Sequence, residues 1–91
     1  NKIINIHPSL LPKYGGKGMY GMNVHDEVIK NKEDQSGISI HYVNKQYDEG
    51  EIIFQKSTKI IYPFTAEKLA KKIHELEMKY FPEIIEKLIN S

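Results

Sequence analysis

Asn5 and His7 stand two residues apart at the end of a short apolar run, so in extended backbone both side chains project to one side. One amide and one imidazole would then share a pocket, at the strand end where open α/β sheets bind ligands. Pro8 follows His7 and biases it towards extended backbone, so the alternation should survive up to that residue. On spacing alone Asn-x-His is a weak pattern, and the plainer reading is stronger: two residues that satisfy backbone groups where a loop begins. A second group joins His41, with Ser39 on its face, to Asp48, whose loop can fold back towards the end of that strand. A carboxylate beside an imidazole raises the ring's pKa and orients it, although Asp48-Glu49-Gly50 is also an ordinary turn sequence, and alone that reading wins. A third is Glu77, which interrupts an apolar helical stripe with His74 one turn back. A carboxylate there needs a partner or a ligand, and a helix-edge Glu paired with Lys is an equal alternative. Gly15-Gly16-Lys17-Gly18 lacks the strand-loop-helix spacing of a phosphate cradle, and the Lys68, Lys71 and Lys72 run reads as a solvated helix face.

These residues must be positioned by one small domain, since the chain has 91 residues. The composition is that of a globular protein, with 40% hydrophobic and 27% charged residues. Thirteen Lys and Arg against 12 Asp and Glu leave a net charge of +1, without the basic surplus that grips nucleic acid or acidic lipid. With no cysteine, a disulfide framework, a thiolate zinc site and a cysteine nucleophile are all excluded, and histidine is the natural reactive residue. No run approaches the roughly 18 to 20 apolar residues of a membrane span and no leader pattern is seen, so a cytoplasmic setting is expected. The chain opens on Asn1-Lys2-Ile3-Ile4 without Met and enters a strand at once, as a piece of a longer chain would.

Residues 2 to 6 read as a buried strand, and residues 8 to 22, with two prolines and four glycines, as a long ordered loop. Asn23 with Asp26 resembles a capping box for a helix of about two turns whose apolar face is Val24, Val28 and Ile29. From Gly37 a period of two predicts a strand with Ile38, Ile40 and Tyr42 on one face and Ser39, His41 and Val43 on the other. A turn at Asp48-Glu49-Gly50 and an extended run from Glu51 to Ile60 make an antiparallel hairpin. Thr65 caps a long helix with Glu67 in its first turn and a stripe of Leu69, Ala70, Ile73, Leu76, Glu77 and Tyr80. Pro82 is expected to kink or break that helix, with Glu83 to Ile89 as a second segment.

The string Asn5-Ile6-His7-Pro8-Ser9-Leu10-Leu11-Pro12, followed by Ser39-Ile40-His41-Tyr42-Val43 and then Asp48-Glu49-Gly50-Glu51-Ile52-Ile53, resembles the glycinamide ribonucleotide formyltransferases of purine biosynthesis. The likeness spans nearly the whole chain, and the ordered combination is far more specific than any one motif. It implies an α/β fold: the carboxy-terminal half of a Rossmann-like formyltransferase sheet, with an antiparallel strand pair and a long kinked helix. It implies that residues 1 to 91 lack the family's phosphate-binding half and that a companion segment or self-association completes the sheet. The implied reaction moves a formyl group from 10-formyltetrahydrofolate to the amine of glycinamide ribonucleotide, without a metal.

The resemblance further implies that Asn5, His7 and Asp48 are catalytic. Glu77 matches a carboxylate that contacts the amino substrate, with His74 where a glutamine is common, and His41 stands beside them as a substrate-side residue. The segment Val43, Asn44, Lys45, Gln46, Tyr47, Asp48, Glu49 and Gly50 matches the loop lining the pterin of the folate. The partners expected are these two small molecules, with neither nucleic acid nor membrane. Formyltetrahydrofolate hydrolase and methionyl-tRNA formyltransferase share the Asn-x-His and Asp-x-Gly features, but His7-Pro8-Ser9 differs from their patterns. A folate-binding piece without turnover is the alternative from another class. The resemblance also makes Leu11-Pro12 the expected cis peptide, in a tight turn after the motif.

Overall fold

The computed structural model describes residues 3–43 and 50–90. The order is β1 (Ile4–His7), α1 (Met22–Lys30), β2 (Gln35–Tyr42), β3 (Ile52–Lys59) and α2 (Ala66–Ile89). The strands form one sheet in the order β1-β2-β3, antiparallel throughout. The first strand is therefore an edge strand and not a buried one: Asn5 is exposed and its neighbours only half-buried.

One face of the sheet carries the core. Val24 and Val28 of α1, Ile38 of β2, Ile60, and Leu69 and Ile73 of α2 form a single buried cluster, with Ile6, Phe54 and Tyr80 packed at its margin. The stripe read from the sequence of α2 thus faces the sheet. Thr65 is the cap of α2 as expected, its side chain accepting from the Lys68 amide at 3.1 Å. Thr65→Ala should cost about 1 kcal/mol of stability, to be read as a lower urea midpoint with an unchanged slope.

The other face of β2 is covered too, by the loop that follows β1. Leu10 and Leu11 lie against it, so residues 36–41 are all buried and the expected alternation of inside and outside is lost. Three hydrogen bonds fix this cover at Ser39, whose hydroxyl donates to the Ser9 carbonyl at 2.7 Å and accepts from the Leu11 amide and the Gln55 side chain, both at 2.9 Å. Gln55 also donates to the Leu11 carbonyl. The Leu11–Pro12 peptide is cis, as expected, and so is Tyr62–Pro63, which was not foreseen.

Two helix boundaries differ from expectation. The first helix begins two residues early, at Met22, with Gly21 at its cap in the left-handed region (φ 58°), so Asn23 is already helical and caps nothing. Its side-chain amide instead donates to the Gly18 carbonyl at 3.0 Å and ties the glycine-rich loop to the helix. In α2, Pro82 lies inside a helix that continues unbroken to Ile89. The carbonyl that loses its donor there is that of Met78, which is 65% exposed, so water can replace the missing bond.

Candidate functional site

Register decides which side chains meet. Asn5 stands opposite His41 and His7 opposite Ser39, and residues directly opposite in an antiparallel pair share a face. Two groups that the sequence kept apart, Asn5 with His7 and Ser39 with His41, therefore form one patch. Between Ile40 and His41 the pairing with β3 slips by one, leaving Ile53 without an opposite residue beside the patch. Such bulges locally bend a strand and re-aim its side chains.

Asn5, His7 and His41 line a cleft of about 300 Å³, closed on its far side by Gly16, Lys17, Gly18, Met19 and Tyr20 of the glycine-rich loop. That loop walls the site. Gly16 and Gly18 take φ of 85° and 82°, and with open space where a Cβ would stand, it is the backbone conformation that favours glycine there.

The tautomers of both rings follow from their partners. His7 Nε2 lies 2.7 Å from the Tyr14 carbonyl oxygen, which only accepts, so Nε2 carries the hydrogen and Nδ1 is left for chemistry. His41, 1% exposed, places Nδ1 3.0 Å from the Tyr42 carbonyl and therefore keeps Nε2 as its open nitrogen. Asn5 is exposed on the same face, with its amide able to donate and accept. A face with an amide donor and two imidazoles of defined tautomer suits a reaction that develops negative charge on oxygen while a proton moves.

Asp48, the expected third catalytic residue, lies outside the described residues, as do Asn44, Lys45, Gln46, Tyr47 and Glu49 of the folate-side loop. The ends of that loop are held. The Val43 amide donates to the Ile3 carbonyl at 2.8 Å and the Gly50 amide to the Tyr42 carbonyl at 2.7 Å, fixing it to β1 and β2. A Cβ on Gly50 would stand 2.5 Å from that Tyr42 oxygen, so the close approach needs glycine.

Glu77 and His74 lie elsewhere. They face each other at 3.5 Å on α2 and line a second hollow with Pro8, Gly21, Met22, His25, Ala70 and Ile73. Among the described residues the partner of Glu77 is thus a histidine. Pro8 joins the two hollows, since it follows His7 directly. His25 was missed in the sequence: it is 5% exposed, its Nδ1 has no hydrogen-bond partner, and burial pushes its pKa down. Its only signal was a histidine between two core valines. Tyr14 and Glu33, also missed, carry the wall that holds His7. Among the described residues no group of three or more His, Asp or Glu side chains is placed to hold a metal.

The fold is a three-stranded antiparallel sheet with two helices, and its edge carries a polar patch of Asn and His. The family model described as Formyl transferase, the amino-terminal domain of those enzymes, matches residues 1–85, and the chain belongs to that family. The expected carboxy-terminal half therefore gives way to a coarser statement, a fragment of the formyl transferase domain. The chloroplastic phosphoribosylglycinamide formyltransferase of Arabidopsis thaliana is 44% identical over 84 residues, which cover 92% of this chain and 29% of that protein. The phosphoribosylglycinamide formyltransferase of Bacillus subtilis is 40% identical over 88 residues, covering 97% of this chain and 43% of its own length. The crystal structure of the enzyme of that name from Bacillus halodurans superposes with a TM-score of 0.82 at 35% identity, over 94% of this chain and 42% of that one. The chain thus spans less than half the length of each of these proteins.

Proposed function

We propose that this chain is part of a phosphoribosylglycinamide formyltransferase, which moves the formyl group of 10-formyltetrahydrofolate to the amine of glycinamide ribonucleotide. The observation that carries the reading is the register that sets His41 beside Asn5 and His7 on one face of a cleft, with Nδ1 of His7 left open. The amine nitrogen attacks the formyl carbon, a tetrahedral oxyanion forms, and the bond to the folate nitrogen breaks as that nitrogen takes a proton. Asn5 donates its amide hydrogen to the oxyanion, and His7, protonated, donates from Nδ1. Asp48 holds His7 charged and relays the proton through water. Glu77, with His74, contacts the ribonucleotide from the adjoining hollow, and the segment from Val43 to Gly50 lines the pterin.

The rest of a Rossmann-like sheet would lie beyond β1, in the other part of the domain or in a second copy, and would bring the turn that binds the phosphate. The 91 residues alone should accordingly bind a folate analogue weakly and turn over little. The setting we assign is a soluble compartment, the cytoplasm in the first instance. Among the described residues no helix is long and apolar enough to cross a membrane.

The test is an acceptor comparison with a full-length protein that carries this segment. Glycinamide ribonucleotide, methionyl-tRNA and water are offered in turn with 10-formyltetrahydrofolate as donor. Formylation of the ribonucleotide in preference to the others is expected. Release of formate without acceptor, or formylation of the tRNA, would give the site to one of the rival activities, and folate binding without transfer to any acceptor would make it a binding module.

A further inference from the structure

We infer that Glu33, in the turn between α1 and β2, is a positioning residue for His7 and acts on it through Tyr14. The inference rests on the proposed function only for its catalytic consequence.

His7 Nε2–H is held by a backbone carbonyl, that of Tyr14, in a loop without regular structure. Such an acceptor orients the ring only as well as the loop itself is held. Tyr14 sits in the left-handed region with φ 57°, a conformation uncommon for a residue with a side chain and kept only where the surroundings impose it. The surroundings here are specific. The Tyr14 hydroxyl donates to a carboxylate oxygen of Glu33 and accepts from the Asn31 side-chain amide at 3.1 Å. Lys13, next in the loop, reaches the same carboxylate at 3.5 Å. Within the loop the buried Ser9 hydroxyl donates to the Lys13 carbonyl at 2.7 Å, and the phenol is the link that ties this stretch to Glu33.

Glu33 is itself fixed from both sides. Its amide donates to the Val28 carbonyl at 3.2 Å and its carbonyl accepts from the Tyr62 hydroxyl at 2.8 Å. Lys32 turns the chain with φ 53°, and the Ile60 amide pairs with the Asp34 carbonyl at 2.9 Å. A post bonded to α1 and to the end of β3 thus holds a phenol whose own carbonyl, on the far side of the same residue, holds the imidazole. The bond is also charge-assisted: the Tyr14 hydroxyl draws the Glu33 carboxyl below its usual range, while burial and then Glu33 push the Tyr14 hydroxyl up.

The direct readout is the ring of His7. In the 91-residue chain with ¹⁵N-labelled histidine, long-range proton–nitrogen spectra taken at a pH high enough to leave the ring uncharged should show His7 in the Nε2–H form. Tyr14→Phe and Glu33→Ala should convert that signal to a mixture of tautomers and speed exchange of the Nε2 proton with water, whereas Glu33→Gln, which still accepts from the phenol, should restore most of it. His41, held by the Tyr42 carbonyl, is the internal control and should not move. An unchanged His7 tautomer in Tyr14→Phe overturns the inference, whatever happens to stability, and so does an equal disturbance of His41. Should Glu33→Ala fail to fold, Tyr14→Phe, which keeps ring and backbone, decides alone. In a full-length enzyme the same variants should lower kcat several-fold with KM for both substrates unchanged. A shifted tautomer with full turnover would leave the positioning in place and remove His7 from catalysis instead.

Discussion

In a full-length protein that carries this segment, His7→Ala should slow the proposed formyl transfer on the order of a hundred- to a thousandfold, the usual consequence of removing one preorganised donor to an oxyanion. The imidazole is anchored through Nε2 to the Tyr14 carbonyl and lines the cleft with Asn5 and His41, so Nδ1 is the atom free to meet the reacting oxygen. Charge appears on that oxygen only as the tetrahedral species forms. The loss should therefore fall equally on kcat and kcat/KM, with apparent substrate constants little changed. Breaking the bond to the loop costs stability too, about 1 kcal/mol, so the variant's fold should be checked by circular dichroism beside the rate. Asp48→Asn, although its position lies outside the described residues, should share the direction. Retained turnover with weakened affinity would make His7 a binding residue and end the catalytic assignment.

Gly37→Ala should destabilise the chain by more than the about 1–3 kcal/mol typical of overpacking. A Cβ at that position would stand 2.1 Å from the Lys56 carbonyl oxygen and 2.9 Å from the Ser57 Cα, both backbone atoms of β3, and 2.7 Å from a methyl of Leu10. The leucine can swing away, but the strand cannot move without breaking the pairing of Gly37 with Ser57 and its neighbours. Urea unfolding followed by tyrosine fluorescence is the measurement, and a midpoint equal to that of the parent chain would show that β3 gives way freely. Because Leu10 belongs to the loop fixed at Ser39, the same substitution should also disturb the wall of the cleft.

Those features were legible to different degrees, for physical reasons. The Asn5 and His7 pair, the stripe of α2 and the cap at Thr65 were readable because each depends on residues within one or two turns of each other. The encounter of Asn5 with His41 was not, since register across a long connection is set by how the loops close and not by local pattern. The capping box at Asn23 was misread because a left-handed Gly21 starts the helix first and the Gly18 carbonyl claims the side chain. Nothing local marks Tyr14 for positive φ, as the cause lies in Glu33 and Asn31, far along the chain. Strand β2 kept its alternation while losing the exposure that alternation suggests, because a loop with two leucines covers the second face. Asp48 remains an assignment from sequence.

That strand has a bearing on which changes of length the protein can survive. Along β2 the odd positions from Gly37 to His41 serve the loop and the cleft, while Ile38 and Ile40 are buried on the opposite face, where Ile38 joins the core cluster. Deleting or inserting one codon there would turn Ser39 and His41 into the apolar interior and deliver Ile38 and Ile40 to the reacting face. Core and chemistry would be exchanged in a single event, with both lost. Substitutions in this stretch can be tried one position at a time, but variation in length must come in steps of two residues or fall in the connecting loops, where the frame of the strand is not at stake.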